Sequence, residues 1–166
     1  MTVRPIRIFG DPVLRTEADP VTTFDAELRE LIADLEDTVR VPGRAGVAAP
    51  QIGVSLRAFS YNVGGEVGHL INPVLSGLAG EQDDDEACLS LPGLGFVTRR
   101  ALTVTARGVD QHGEPLVIEG TGFLARALQH ETDHLAGTLY IDTLTGDVRR
   151  QALRELRRVH PAPQRR

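Results

Sequence analysis

Two histidines and a glutamate within five positions are the residues of this chain best suited to chemistry. His130 and His134 are four positions apart, so on a helix their imidazoles lie on one face, close enough to hold one divalent metal ion. Glu131 lies beside the first histidine, where it can act as general base on a water bound to that metal. The alternative is that both histidines are merely packed or solvated on an amphipathic helix. A further metal ligand elsewhere in the chain would decide between the two.

Cys88 is the only cysteine of the chain and is suited to be that further ligand. It cannot form an internal disulfide, and a single free cysteine is otherwise often a small buried apolar residue. Two imidazole nitrogens and one thiolate leave one open position on a tetrahedral ion, as in a hydrolytic rather than a structural site. The sequence therefore favours Cys88, His130 and His134 as metal ligands.

A run of small residues from Gly46 to Gly53 contains a side-chain amide, that of Gln51. Small residues let the backbone approach a ligand closely, and a glutamine can donate a hydrogen bond to a developing oxyanion. On its own, the segment is better interpreted as an ordinary turn before a strand.

Taken together and in this order, the three segments resemble the peptide deformylase family. That family is marked by a glycine-rich segment ending in AAPQ or a similar sequence, by a segment of the form EGCLS, and by a QHExxH helix. Here the three lie at 46–51, 86–90 and 129–134. Flanking segments at 9–15 and 135–142 extend the resemblance over nearly the whole chain.

Three positions depart from the family pattern. The chain has Arg44 where the family usually has a second glycine, Val47 where it has leucine, and Ala87 where it has the glycine before the cysteine. An alanine at 87 would cost about 1 kcal/mol if that position required a positive φ. None of the three changes removes a metal ligand or the base, so they bear on pocket shape and efficiency rather than on the reaction.

The resemblance implies a metal-dependent hydrolase that removes the N-formyl group from the initiator methionine of nascent polypeptides and releases formate. The implied cofactor is one divalent metal ion, Fe²⁺, with Zn²⁺ or Ni²⁺ able to occupy the same site. Glu131 would transfer a proton from water to the leaving amine, while the Gln51 side chain and the Leu89 backbone N–H stabilise the oxyanion. The expected walls of the methionine pocket are Gly46, Val47, Arg126 and Ala127.

A zinc endopeptidase is the nearest enzymatic alternative. The residues from His130 to Tyr140 fit H-E-x-x-H-x-x-G-x-x-Tyr, which differs from a metzincin signature only in having tyrosine for the third histidine. Glu155 could be the third ligand of a thermolysin-like site, although an ordinary salt bridge suits it better. Neither the metzincin-like nor the thermolysin-like site assigns a role to Gln51 or Cys88.

A protein that keeps the fold and the metal but binds rather than cleaves is the non-enzymatic alternative. Arg44 and Ala87 motivate this hypothesis, because they alter two family positions near the site. The presence of both Glu131 and Gln51 argues against it.

Composition predicts one globular domain spanning 1–166, with 41% apolar and 25% charged residues. No apolar run approaches the roughly 18 residues of a spanning helix, and the first residues lack the apolar stretch of a signal peptide. We therefore expect a cytoplasmic protein without membrane or DNA partners. All 18 basic residues are arginine, which excludes Schiff-base chemistry and a P-loop lysine.

Residues 147–166 carry a net charge of +5, from seven arginines against Asp147 and Glu155, while the rest of the chain carries −10. An apolar stripe predicts that this segment is a docked C-terminal helix with an arginine-rich outer face. We favour a solvated terminal helix with a frayed tail at 161–166. The alternative is a contact with ribosomal RNA. The stripe consists of Val148, Ala152, Leu153, Leu156 and Val159.

Periodicity predicts an amphipathic helix at 25–40 and a second at 121–136, which carries the histidines and ends at Gly137. On the second helix Phe123 and Ala127 share the face of His130 and His134, so that face should point inward.

Strand-like runs lie between the two helices, and the acidic stretch 83–86 is interpreted as a solvated loop. The sequence therefore predicts an α+β fold, in which small mixed or antiparallel sheets pack around a central helix carrying HExxH, followed by a C-terminal helix. The strand-like runs are 56–63, 69–75, 102–109 and 116–119.

Overall fold

The computed structural model describes residues 2–161 and contains two antiparallel sheets. Five strands form the larger sheet in the order β1-β2-β3-β6-β7, and β4 pairs with β5 in the smaller one. The strands are β1 (Gly46–Ala48), β2 (Ala58–Val63), β3 (Glu66–Ala79), β4 (Gln82–Glu86), β5 (Phe96–Arg100), β6 (Thr103–Val109) and β7 (Pro115–Thr121). The four predicted strand runs correspond to β2, β3, β6 and β7, and the α+β class is confirmed.

The first helix, α1 (Ala26–Val39), covers one side of the larger sheet. The Asp25 side chain accepts a hydrogen bond from the Leu28 backbone N–H and begins the helix, as an N-cap residue does. The apolar residues that predicted this helix pack against residues of β1, β2 and β3. Leu28, Ile32, Leu35 and Val39 are buried, and Leu31 is partly buried.

The second helix, α2 (Phe123–Leu135), lies against the larger sheet with Ala125, Leu128 and Leu135 in the core between them. The helix ends as predicted: Gly137 follows it with a φ of 71°, and a Cβ there would lie 2.9 Å from the Arg15 backbone. Glycine satisfies both requirements, because it accepts a positive φ and leaves room for the neighbouring chain.

The expectation of a solvated loop at 83–86 is wrong, because these residues belong to β4. Acidic residues are poor strand formers, so sequence propensity gives no warning of this strand. It is held by pairing with β5, and the Arg99 side chain donates to Asp83 across the pair at 3.2 Å. The strand ends at the buried residue Glu86, two positions before Cys88.

The third helix, α3 (Gly146–Val159), docks through Ala152 and Leu156 onto a core cluster that also contains Cys88. Val148 and Val159, at the ends of the predicted stripe, are 39% and 36% exposed, so the docked stripe is narrower than expected. Residues 162–166 of the arginine-rich segment lie outside the described residues. Within residues 2–161 no helix is long and apolar enough to cross a membrane.

Candidate metal centre and active site

Helix α2 places both histidines in the interior, on the face predicted from their spacing. His130 and His134 are 8% and 1% exposed, and their ring centroids lie 5.0 Å apart. Ala127 is buried on the same face, but Phe123 is 57% exposed, so the inward-pointing face begins one turn later than expected.

Cys88 meets the histidines from the segment that follows β4. Its Sγ lies 3.3 Å from His134 Nε2, and one ligand atom from each of Cys88, His130 and His134 lies within 4.8 Å of the other two. Burial and the neighbouring His130 lower the pKa of His134 well below its usual value, which keeps this imidazole neutral and able to bind a cation. The donor set therefore fits one divalent metal ion.

The surroundings of His130 also fit a cation. Its Nδ1 lies 2.8 Å from a Glu86 oxygen, which leaves Nε2 as the nitrogen available to a metal. Burial disfavours a charged imidazole, but the interactions with Cys88 and Glu86 outweigh burial and raise the pKa of His130 well above its usual value. The thiol and the carboxylate thus favour positive charge at this ring.

Glu86 is the centre of a buried hydrogen-bond network that the sequence analysis missed. Arg100 donates to both of its oxygens, at 3.0 and 2.6 Å, and Arg126 donates to Oε1 at 2.8 Å. Burial alone would raise the pKa of Glu86, but the bonds with His130 and Arg100 outweigh it and lower that pKa to about 2. If His130 binds a metal ion, this carboxylate would fix the orientation of its ring, as the hydrogen-bond partners of metal-binding histidines do.

Glu131 lies on the opposite side of α2 from solvent, beside β1. The residue is 3% exposed, and burial raises the pKa of its carboxyl group to about 7. Gly46 faces it: a Cβ at this glycine would lie 2.6 Å from Glu131 Cδ, closer than two carbon atoms approach. The glycine of the first motif therefore leaves room for the carboxyl group of the third.

The Gln51 side chain is oriented by hydrogen bonds at both ends. Its Oε1 accepts from the Ala48 backbone N–H at 3.0 Å, while its Nε2 donates to Ser90 Oγ at 3.2 Å and lies 3.7 Å from Cys88 Sγ. The NH₂ group is thus turned towards Cys88. Leu89 follows Cys88, and its backbone N–H has no hydrogen-bond acceptor among the described residues.

The N-terminal arm fixes the first two motifs relative to each other. The Arg7 backbone N–H donates to the Gln51 carbonyl at 2.7 Å, and the Phe9 backbone N–H donates to the Ser90 carbonyl at 2.8 Å. This accounts physically for the family-like segment at 9–15, whose first residue makes one of these contacts.

These groups lie around one cleft of about 430 Å³. Gly46, Leu89, Arg126 and Ala127 line the cleft together with Gln51, Cys88, His130 and Glu131. Val47 does not: its side chain is fully buried in the core beneath α1. Successive side chains of a strand point to opposite faces, so Gly46 and Val47 cannot both face the cleft from β1.

The two departures near the cleft have simple structural consequences. Ala87 does not have a positive φ, since Asn72 is the only such non-glycine residue between 2 and 161, and the strain considered for alanine does not arise. The Arg44 side chain donates to the Thr38 carbonyl at 2.9 Å and also lines the cleft.

The third ligands of the endopeptidase alternative do not join the site. The Glu155 carboxylate accepts a hydrogen bond from Gln151 one turn earlier on α3. The Tyr140 ring stacks on His130 with centroids 6.0 Å apart, but the ligand group within the described part of the chain consists of Cys88, His130 and His134.

Three ligands of this kind would leave a fourth position on a metal ion for a reacting group, and the buried carboxyl group beside them could act as a general base in hydrolysis. The fold and the site thus define a mononuclear metallohydrolase. The chain belongs to the polypeptide deformylase family, whose family model matches residues 3–150. Members of this family remove the N-formyl group from nascent peptides.

Relatives and solved structures agree with this assignment over most of the chain. The peptide deformylase of Acidothermus cellulolyticus is 56% identical over 164 residues, which cover 99% of this chain and 91% of that protein. That of Parafrankia sp. is 57% identical over 159 residues, covering 95% and 87%. The crystal structure of the Thermus thermophilus peptide deformylase superimposes with a TM-score of 0.89 at 38% identity and that of Legionella pneumophila with 0.87 at 41%, each covering 95% of both chains.

Proposed function

We propose that this chain hydrolyses the formamide of N-formylmethionyl nascent polypeptides, with Cys88, His130 and His134 as the metal ligands. The observation that carries the proposal is that Cys88, His130, Glu131 and Gln51 line one cleft, while one ligand atom of His134 lies within 4.8 Å of those of Cys88 and His130. When bound, a divalent ion supplies Lewis-acid activation of water and of the formyl carbonyl at neutral pH.

Glu131 is the general base and then the general acid. Its carboxyl group is buried beside the ligands, and its pKa of about 7 suits a group that gains and loses a proton near neutral pH. It accepts a proton from the attacking water and returns it to the methionine nitrogen when the C–N bond breaks. Formate and a free amino terminus are the products.

The Gln51 Nε2 group and the Leu89 backbone N–H stabilise the oxyanion that forms on the formyl oxygen. Gln51 can do so without reorganising, because its amide is already held by Ala48 and Ser90. Gln51 and Leu89 line the cleft together with Cys88 and His130.

The cleft selects its substrate by size and by main-chain contact. A formyl carbon carries only hydrogen, so a tight site beside the ligands would admit it and exclude bulkier acyl groups. The methionine side chain lies against Gly46, Ala127 and the apolar stem of Arg126. Val47 contributes only through its backbone. Strand β1 is an edge strand of the larger sheet, and an edge can hydrogen-bond an extended peptide.

Fe²⁺ is the metal that we propose for the native enzyme, with Zn²⁺ and Ni²⁺ as ions that occupy the same ligands. A thiolate and two imidazoles suit all three ions, because borderline metals accept both sulfur and nitrogen donors. Metal analysis of protein purified without oxygen tests this assignment.

We also propose that residues 1–166 form one cytoplasmic domain that meets nascent chains at the ribosome. Helix α3 packs onto the cluster containing Cys88, so it is continuous with the catalytic core. Its exposed arginines Arg154, Arg157 and Arg158 have no ion-pair partner among the described residues. Replacing all three by glutamine should lower the salt dependence of ribosome co-sedimentation by roughly two to three in log–log slope, if each contacts one phosphate. An unchanged slope would contradict the contact without affecting the catalytic proposal.

Formate release from formyl-Met-Ala-Ser, measured on anaerobically purified Fe²⁺-loaded protein, tests the catalytic proposal. Turnover should fall roughly 10²- to 10⁴-fold in Glu131→Ala, because that change removes the general base. Absence of turnover in metal-loaded wild-type protein would contradict hydrolysis and support the alternative of a binding protein.

A further inference from the structure

Arg126 belongs to the cleft wall and to the network beneath the metal ligands at the same time. It is one of the residues that line the cleft, yet its side chain is only 4% exposed. Its Nη1 donates to Glu86 Oε1 and to the Thr98 carbonyl, both at 2.8 Å. The stem therefore faces the substrate cleft, while the guanidinium group is buried behind it.

Arg126 and His130 are four residues apart on α2 and contact the same carboxylate. Glu86 Oε1 accepts from Arg126, and Glu86 Oε2 lies 2.8 Å from His130 Nδ1. Arg100 donates to both oxygens, so four hydrogen bonds fill the positions that an ionised carboxylate offers. The rotation of this carboxylate, and with it the direction of the His130 ring, depends on all of its donors.

A second nitrogen of the Arg126 guanidinium group shows that the buried arginine carries a cost in folding free energy. Nη2 is buried and has no hydrogen-bond partner among residues 2–161. A buried donor without an acceptor opposes folding. An apolar residue at 126 would line the pocket without this cost, so the contacts made by Nη1 are what the arginine adds.

We propose that Arg126 is a positioning residue, which holds Glu86 so that the His130 imidazole keeps its orientation as a metal ligand. The inference rests on the proposed function for the identity of the cleft, but its effect concerns metal binding and precedes catalysis. The wall of the methionine pocket and the outer layer of the metal site are then joined through one side chain. Substitutions at this position should therefore alter metal affinity as well as substrate preference.

Arg126→Met separates the two roles. Methionine keeps an unbranched apolar stem against the cleft and removes the hydrogen bonds to Glu86 and Thr98. Arg126→Lys keeps the charge and a nitrogen donor, but its ammonium group cannot occupy the same position as Nη1, so it should restore affinity in part. Arg99→Met is the matched control, because Arg99 lies next to Arg100 on β5 but pairs only with exposed acidic residues.

The experiment is a competition between each full-length apo-protein and a chelator for Co²⁺, together with the Co²⁺ absorption spectrum. We expect Arg126→Met to bind Co²⁺ roughly 10-fold more weakly, with a shifted spectrum, and Arg99→Met to match the wild type. Steady-state assays on formyl-Met-Ala-Ser should show a fall in kcat in addition to any change in KM.

Wild-type affinity and spectrum in both Arg126 variants, with a change confined to KM, would overturn the proposal and leave Arg126 as a wall residue. If Arg126→Met does not fold, Arg126→Lys decides alone: weaker Co²⁺ binding supports the role, and unchanged binding contradicts it. Metal binding is measured without substrate, so these results stand even if the wild type releases no formate.

Discussion

The contact between Gly46 and Glu131 leads to a sharp expectation about catalysis. In Gly46→Ala, the added Cβ would lie 2.6 Å from Glu131 Cδ and 2.7 Å from Cγ. Carbon atoms in contact are normally about 3.5 to 4.0 Å apart, so the carboxyl group must move by roughly 1 Å. The three atoms nearest to the added Cβ all belong to Glu131, and none of them belongs to Cys88, His130 or His134.

A displacement of that size in a general base should lower the catalytic rate strongly. A misplacement of about 1 Å can cost on the order of 100-fold in rate, which corresponds to about 2.7 kcal/mol of transition-state free energy. We therefore expect kcat to fall about 100-fold in Gly46→Ala, while Co²⁺ affinity stays within about twofold of the wild type. Metal affinity thus separates loss of the base from loss of the site.

Gly95→Ala is the matched control for this substitution. A Cβ at Gly95 would meet its nearest neighbours at 3.7 and 4.0 Å, which is ordinary contact, and its φ is not positive. This variant should keep wild-type turnover and stability. A Gly46→Ala enzyme with unchanged kcat, or with its whole loss in KM, would refute the assignment of the effect to Glu131.

Three further expectations concern the fold, the ligands and the metal. Gly137→Ala should lower the free energy of unfolding by about 2 to 3 kcal/mol, because position 137 combines a positive φ with close contact to Arg15. Gly64→Ala should lower it by only about 1 to 2 kcal/mol, because position 64 has the positive φ without the contact. Urea titrations compare the two variants, and equal losses would contradict the role of the contact. Cys88→Asp should weaken metal binding in the chelator assay and Glu155→Ala should not; the reverse result would restore the endopeptidase alternative. Fe²⁺-loaded enzyme should lose activity in air within hours as the Cys88 thiolate oxidises, while Zn²⁺-loaded protein serves as the stable control. Full activity of the Fe²⁺-loaded enzyme after that time would refute this expectation.

The helices could be predicted because their chemistry is local. Helix α1 shows an apolar period that matches its buried stripe, and α2 carries the histidines four residues apart on its buried side. The mistaken orientation of Phe123 has a local cause as well. Phe123 is the first residue of α2, and the side chains of α2 pack into the core only from the next residues onward. Phe123 therefore lies at the exposed end of the cleft.

Glu86 could not be assigned a role from sequence, because its partners are brought to it by pairing that is not local. The sequence of strand β4 is typical of a polar loop. Only its pairing with β5 brings Arg100 and Thr98 close to Glu86. The sequence did contain one chemical indication. A glutamate two residues before a candidate metal-binding cysteine needs a cationic partner if it is buried, and arginines are present at 99, 100 and 126. The position of Val47 was predictable by strand alternation once Gly46 was assigned to the cleft.

The absence of lysine suits the way in which this site is built. Arg100 contacts both oxygens of Glu86 and, through Nη1, an Asp133 oxygen at 2.6 Å. A lysine would supply the charge but not three donors in one plane, so it could not hold two carboxylates in fixed orientations. Asp133 lies between Glu131 and His134 on α2, which means that Arg100 ties the catalytic helix to the strand pair that delivers Cys88. The relative positions of the proposed metal ligands therefore depend on the hydrogen bonds that Arg100 makes with Glu86 and Asp133.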